Sequence, residues 1–306
     1  MDFTHLKYFM VMAELEHMTK AAEVLHIAQP ALSRALKTLE DELGVQLFDR
    51  VGKTILLNDE GHILLKHAMN IFRSYDNIAL ELNERKNNSQ QSVSIMMHAC
   101  SKLLPELILG FTERYPSIRL DIMQQKSDVP TDDSVDITVY SSMVPATGNS
   151  EMTLMEEELY LALPSADSLS ANNEIDLALL ADRPFICLHK GKGLREITDE
   201  YCRMAGFLPN IIMESDSPQI VRDLIALGGG LAFVPAVSWH GMENTPAIKL
   251  VKISNPRCTR YINMQSDPSR YQTGAAKKLK EYLIEFFHNA ASKQDLDAPV
   301  QRELEV

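Results

Sequence analysis

Residues 19–39, "TKAAEVLHIAQPALSRALKTL", decide how this chain folds. Met18, Ala21, Ala22 and Leu25 fall at i, i+3, i+4 and i+7, the spacing of one helix face. The pattern stops at "HIAQP" and resumes, at the same spacing, with Leu32, Ala35, Leu36 and Leu39. Proline is tolerated in a first helical turn, where its missing N–H costs nothing, so Gln29-Pro30 reads as a helix start. Upstream, Leu6, Phe9, Met10 and Ala13 mark another helix, with Thr4 at its N-cap position; Thr19 sits near the start of the next. Three short helices result, the last two joined by "HIA": a helix-turn-helix. With the leucines inward, Gln29, Pro30, Ser33, Arg34 and Lys37 face out. The second helix of such a motif lays its N-terminal residues into the DNA major groove. Gln can read adenine, Arg guanine, and Ser either; Lys37, a turn further on, suits phosphate. The exposed face of an ordinary helical bundle would look the same, so the next segment decides.

That segment, "LGVQLFDRVGKTILLNDEG" at 43–61, reads as helix stop, strand, turn, strand, helix start. Gly44 ends the third helix. Leu47 with Phe48, then Ile55 and Leu57, frame a hairpin tipped by Arg50 and Lys53. Asn58, followed by Asp59 and Glu60, is an N-cap with an acidic first turn. A basic hairpin beside a recognition helix makes a winged helix-turn-helix, its wing cation suited to a narrow minor groove.

On these residues the chain resembles the LysR-type transcriptional regulators. Ala21-Ala22, Gln29-Pro30, Ser33, Leu39-Glu40, Leu43-Gly44, Leu47-Phe48 and Arg50 match that family's signature. The resemblance implies DNA contacts by Gln29, Pro30, Ser33 and Arg34, with Lys53 as the basic wing residue. His17 and Met18 stand where the family more often has Ser and Phe. Ala28 replaces a frequent Ser or Thr, and Lys53 a commoner Arg.

From His62 to Lys86 there is neither Gly nor Pro. Leu65, Ala68, Phe72, Tyr75, Ala79 and Leu82 step by alternating threes and fours, a coiled-coil seam that predicts a dimer contact. The polar "NERKNNSQQS" then ends the periodicity. Beyond it, "VSIMM", "IRLDIM", "VDITVY", "LYLALP", "PFICL", "NIIME" and "LAFVP" are strand candidates. They alternate with helices such as "LLPELILGFTERY", "LREITDEYCRMAG" and "PQIVRDLIALGGG", implying parallel α/β sheets. "YPSIRLDI", "CRMAGFLP" and "LGGGLAFVP" resemble the LysR-type effector domain, with its two-lobed, periplasmic-binding-protein-like architecture. "QQKSDVPTDDSVDI" is shorter than the helical segment usual there, which bears on the Gln125–Ser127 edge of the site.

The expected organisation is a winged helix-turn-helix at 1–61, a dimerising linker helix and hinge at 62–91, an effector-binding domain at 92–290 and a flexible tail at 291–306. Within the effector domain, lobe I comprises 92–160 and 266–290, and lobe II 161–265. Ligands of such folds sit at the carboxyl ends of strands, between lobes. This points to His98, Cys100, Ser101, Ser141, Ser142, His189, Lys190, Ser215, Ser217 and Phe233. The turn after the first strand, at "HACS", favours an anionic effector.

Bulk properties narrow the alternatives. The net charge of −12 over 306 residues argues against nonspecific nucleic-acid binding. Residues 1–60 carry six Lys and Arg against ten Asp and Glu, so DNA contact must come from local placement. No apolar run approaches a membrane span, and the N-terminus lacks signal-peptide character. Cys100, Cys187, Cys202 and Cys258 form no CxxC, which suits reduced thiols in a cytoplasm. A cysteine enzyme would use Cys100 with His98, but no orienting third group is evident. A redox switch would use Cys187 and Cys202, with no visible thiolate-stabilising cluster. The Gly-rich "GKG" and "GGG" lack phosphate-loop spacing. The histidines are too scattered for a metal sensor. The expectation is therefore an α/β protein with an all-α winged N-terminus. It regulates transcription without a cofactor, binds an interrupted DNA dyad as a homodimer or dimer of dimers, answers to a small effector and contacts RNA polymerase.

Overall fold

The computed structural model describes residues 2–51, 54–86, 91–124, 135–239, 241 and 246–297. The chain divides into two compact units, Met1–Arg85 with Ser269–Tyr271, and the remainder.

In the first unit, helices α1 (Phe3–Leu15), α2 (Met18–Val24) and α3 (Gln29–Leu43) precede a hairpin of β1 (Phe48–Val51) and β2 (Thr54–Leu57) and the long α4 (Asp59–Lys86). Asp2, not Thr4, caps α1, its carboxylate accepting from the Thr4 N–H at 3.0 Å. His17 caps α2 ahead of Thr19, through Nδ1 to the Lys20 N–H at 3.4 Å. The imidazole thus performs the acceptor role that a Ser would have filled. Leu6, Phe9, Met12, Ala21, Ala22, Leu32, Leu36 and Leu39 form the core, with Met12 rather than Met10 fully enclosed.

Two carboxylates fix the hairpin to the helices. Glu40, buried on α3, accepts from the Leu47 N–H at 2.9 Å. Glu16 follows α1 in the left-handed region (φ 44°); its carboxylate accepts from Leu57 N–H at 3.0 Å and its carbonyl from Ile55 N–H at 3.3 Å. Gly61 permits the close approach of α4, since a Cβ there would lie 2.3 Å from the Leu47 carbonyl. Asn58 caps that helix by accepting from the Gly61 N–H at 2.8 Å. The expected seam on α4 divides: Ala68 is fully buried in this unit's own core, with Leu65 and Phe72 against it, while Tyr75, Ala79 and Leu82 are exposed. A helix long enough to leave its domain packs its first half at home.

The second unit contains strands β3 (Gln91–Met97), β4 (Ile118–Met123), β5 (Ile137–Ser142), β6 (Glu151–Pro164), β7 (Glu174–Asp176), β8 (Pro184–Leu188), β9 (Asn210–Ser215), β10 (Ala232–Pro235), β11 (Ile248–Asn255) and β12 (Thr259–Gln265). Its helices are α5 (Leu104–Arg114), α6 (Gly193–Met204), α7 (Pro218–Ala226) and α8 (Gly274–Asp297). β3 pairs in parallel with β4 and β5, and β12 runs antiparallel to β5 and β6. β6 serves two sheets. Its residues 151–158 pair with β12, and 159–164 lie between β10 and β11. β8 and β9 pair in parallel, with a bridge from Phe185 to Leu231.

Two hydrophobic cores follow from this division, one around Ile95, Leu107, Phe111 and Leu283, the other around Leu161, Phe185, Ile197 and Val251. The sheets are mixed, not parallel. The chain returns to the first lobe at β12, so residues 259–265 belong there and not to the second lobe. The reason is register: Thr259–Gln265 pairs with Glu158–Glu151 on one side and Ser142–Thr138 on the other.

Candidate nucleic-acid interface and ligand cleft

The turn between α2 and α3 is made by His26 in the left-handed region (φ 54°), with Ile27 N–H returning to the Ala22 carbonyl at 3.0 Å. His is among the few side chains that enter this region readily. α3 then starts at Gln29 with Ala28 offering no side-chain cap and Pro30 in the first turn. Gln29, Pro30, Arg34 and Lys37 are exposed and Ser33 is half-buried, all opposite the buried Leu32, Leu36 and Leu39. Arg34 Nε donates to the Pro30 carbonyl at 3.2 Å. That contact orients the guanidinium along the start of the helix, and among the described residues its two terminal nitrogens have no partner. Lys53 and the Arg50 side chain lie outside the described residues.

In the same unit, Phe3, His67, Asn70, Ile71, Ser74, Tyr75 and Ile78 line an open groove of about 430 Å³ along α4. Phe3, Tyr75 and Ile78 are each more than half exposed.

In the second unit the strand-end residues separate into those that meet and those committed elsewhere. His98 is exposed past the end of β3, and burial of its surroundings, then Lys192, hold its pKa below the ordinary imidazole value. A Cβ on Gly193 would lie 2.8 Å from Ser141 Oγ, so the start of α6 packs directly on the end of β5. His98, Ser141, Lys192 and Gly193 therefore gather where the lobes face each other, with Ser101 half-buried in the turn after β3.

The remaining candidates have structural duties. Ser142 Oγ accepts from Asn263 Nδ2 at 2.7 Å and donates to the Val144 carbonyl. Ser217 caps α7 through the Ile220 N–H, and Ser215 Oγ accepts from Ser217 N–H. His189 lies 3.6 Å from Glu214, and Lys190 is exposed. Phe233 is buried, stacked on Phe185 with ring centroids 5.9 Å apart.

Cys100 does not face the cleft. It adopts φ 60° and is buried in the first lobe's core, where desolvation pushes its thiol up to about 12. Cys187, Cys202 and Cys258 are buried in the second lobe's core, raised by the same cause to about 11, 12 and 12. None is poised as a thiolate. Among the described residues no group of three His, Cys, Asp or Glu could hold a metal ion.

Sequence reasoning missed the polar cluster where the chain crosses between lobes. Glu157 on β6 and Arg260 on β12, each 2% exposed, form an ion pair at 2.7 Å. Glu157 also accepts from the Val237 and Ser238 N–H groups and the Ser238 hydroxyl, at 2.8–3.0 Å. Arg260 Nη2 reaches Ser238 Oγ at 2.6 Å. Arg195, also buried, is held by Asp199, Glu214 and the Leu188 carbonyl. Its i, i+4 spacing to Asp199 was legible in sequence; the Glu157–Arg260 pair, 103 residues apart, left no local signal.

Comparison with known proteins agrees with both halves. Residues 3–62 match the model of the bacterial regulatory helix-turn-helix protein, lysR family, and residues 85–288 that of the LysR substrate binding domain. The uncharacterized HTH-type transcriptional regulator YybE of Bacillus subtilis (strain 168) is 32% identical over 293 residues, covering 94% of this chain and 99% of that protein. The transcriptional dual regulator GltC of the same organism is 29% identical, covering 94% and 98%. Among solved structures, full-length OxyR C199D from Pseudomonas aeruginosa is 25% identical with a TM-score of 0.54, covering 94% and 99%. Full-length CbnR complexed with its target DNA has a TM-score of 0.55 at 22% identity, covering 94% and all of that chain.

Proposed function

The chain belongs to the LysR family of DNA-binding transcriptional regulators, and from that premise we propose that α3 reads a specific operator through Gln29, Pro30, Ser33 and Arg34, with Lys37 on phosphate. The observation that carries this is the set of outward side chains on α3, backed by the buried Leu32, Ala35, Leu36 and Leu39 on its inner face. Arg50 and Lys53 of the wing supply the flanking phosphate and minor-groove contacts. The apolar groove on α4, with Tyr75, Ala79 and Leu82 at its exposed end, pairs with a second copy, placing two recognition helices on an interrupted dyad; two such dimers make the tetramer. A small effector with an anionic group binds between the lobes of the second unit, near His98, Ser101 and Ser141, and biases the arrangement in which bound dimers contact RNA polymerase in the cytoplasm.

Buried, protonated thiols favour this reading over a cysteine enzyme or a cysteine redox switch. Footprinting of genomic fragments across a salt series tests it. Protection of a dyad with a steep salt slope is expected. Arg34→Ala should weaken binding by about 1–3 kcal/mol and relax the base preference at its position. Unchanged affinity in that variant would remove α3 from the groove.

A further inference from the structure

Glu16 bonds through its backbone N–H, its carbonyl and its carboxylate. The N–H donates to the Met12 carbonyl at 2.9 Å and closes α1. The carbonyl accepts from the Ile55 N–H at 3.3 Å, and carboxylate Oε1 from the Leu57 N–H at 3.0 Å. The next residue, His17, caps α2. Ile55 and Leu57 are alternate residues of β2, so their N–H groups leave the same edge of that strand. β1 lies on the other edge, and the sheet they form has two strands among the described residues. A two-stranded hairpin by itself is marginally stable in water, so its aim depends on what grips it from the helices.

Glu16 reaches β2 from the left-handed region, φ 44°. A Cβ crowds the backbone there, so the region favours glycine and is costly for glutamate. Glycine would keep the N–H and carbonyl bonds and relieve the backbone; it would lose the carboxylate alone. A side chain held in a conformation that glycine adopts freely points to a duty for that side chain. Glu40 grips the hairpin's entry, at the Leu47 N–H, from the regular backbone of α3. Glu16 grips the strand that leaves the tip.

We infer that Glu16 is a positioning residue for operator binding: its carboxylate clamps β2 and so aims the wing at the DNA flanking α3. The cations so placed are Arg50 and Lys53, which the sequence sets at the hairpin tip. The inference rests on the operator reading above and adds the residue that sets the wing. Glu16 acts through the hairpin, not on the DNA. It holds the wing cations at a fixed reach from the recognition helix, so that engaging both requires no reordering of the hairpin on binding.

The test compares full-length wild type, Glu16→Gly, Glu16→Gln and Lys53→Ala on the footprinted operator across a salt series. Glycine suits the backbone, so Glu16→Gly should melt within about 5 °C of wild type. At about 0.1 M salt its operator affinity should fall about 10- to 100-fold, and the slope of log K against log salt should flatten by about 1–2, as for loss of two phosphate contacts. Protection should disappear from the flanking minor groove and persist in the major grooves that α3 occupies. Glu16→Gln keeps an oxygen for the Leu57 N–H and should bind to within about threefold of wild type. Lys53→Ala alone should flatten the slope by about 1, and in the Glu16→Gly background it should change little more, because the wing is already disengaged.

Four results overturn the assignment: a Glu16→Gly slope equal to wild type, a Glu16→Gln protein as impaired as Glu16→Gly, a Lys53→Ala effect that adds in full, or a Glu16→Gly melting temperature well below wild type, which would make the carboxylate a determinant of folding instead. If wild type protects a dyad with a steep salt slope while the Glu16 variants fail these expectations, the operator reading stands and Glu16 alone is misassigned. If wild type protects no dyad, the operator reading falls and the assignment with it.

Discussion

Glu157→Gln tests whether the crossing between lobes is held electrostatically. The substitution preserves volume and shape but removes the charge facing Arg260, which stays 2% exposed with the Ser238 hydroxyl as its remaining partner. The wild-type carboxylate accepts from four donors: Val237 N–H, Ser238 N–H, Ser238 Oγ and Arg260 Nε. A carboxamide has one oxygen to offer them and turns an NH₂ group toward the rest. Removing one partner of a buried pair leaves an uncompensated charge, at about 3–5 kcal/mol. That is at least about a fifth of the roughly 5–15 kcal/mol holding a typical domain together. Urea unfolding followed by Trp239 fluorescence measures it, since the indole neighbours Ser238 and lies in the second lobe's core. Combining Glu157→Gln with Arg260→Met should cost less than the sum of the two, because the second change removes the stranded charge. A Glu157→Gln penalty under about 1 kcal/mol, or additive single and double variants, would refute the reasoning.

Gly61→Ala places a Cβ against the Leu47 carbonyl and should destabilise the N-terminal unit by about 1–3 kcal/mol, weakening operator binding while leaving the native Trp239 fluorescence of the second unit intact. Tyr75→Glu with Ile78→Glu should shift the mass measured by sedimentation from dimer or tetramer toward monomer without lowering the melting temperature, because both side chains are more than half exposed. The four thiols should resist a thiol reagent at neutral pH in the native protein and react fully in denaturant. Their folded pKa values exceed the ordinary 9.0, so their contribution to stability is complete below about pH 9 and is lost as pH rises toward 12; replacing Cys100 by Ala should flatten the alkaline decline in melting temperature.

The N-terminal unit was legible because its information is local. The 3.6-residue repeat of Leu32, Ala35, Leu36 and Leu39, the Gly44 stop and the Asn58 cap are each readable within a few residues. The role of Glu40 was visible only as a motif letter until its carboxylate was seen on the Leu47 N–H. In the second unit, the strands feeding helices announced themselves as short apolar runs. β12, "TRYINMQ", did not. Its arginine and asparagine are buried because they are paired across the sheet, with Glu157 and with Ser142 and Thr153. Polar residues satisfied by partners a hundred positions away erase the hydrophobic signal, and the lobe boundary was misplaced with them. The cleft residues were named by strand-end position, which selects loops but not side-chain direction. Ser142, Ser217, Cys100 and Phe233 turned to caps, networks and cores.

The two buried charge systems are joined through consecutive residues. The guanidinium of Arg222, 7% exposed on α7, lies 5.3 Å from the Trp239 ring centroid, and Ser238 is the hydroxyl shared by Glu157 and Arg260. Glu157 and Arg260 stand on β6 and β12, the strands by which the chain passes between lobes. Any movement of Trp239 is constrained by the Ser238 backbone and hydroxyl, both fixed to Glu157. A ligand that moves Trp239 is thereby tied to the geometry of the crossing, a short physical connection between a ligand and lobe orientation. The coupling has a consequence that contact alone lacks. By reciprocity, if the effector proposed above binds preferentially in one lobe arrangement, then loosening the crossing with Ser238→Ala must change its affinity. A Ser238→Ala protein with wild-type effector affinity but lower stability would make the Glu157–Arg260 cluster a structural rivet. An altered affinity would make it the element through which the ligand is read.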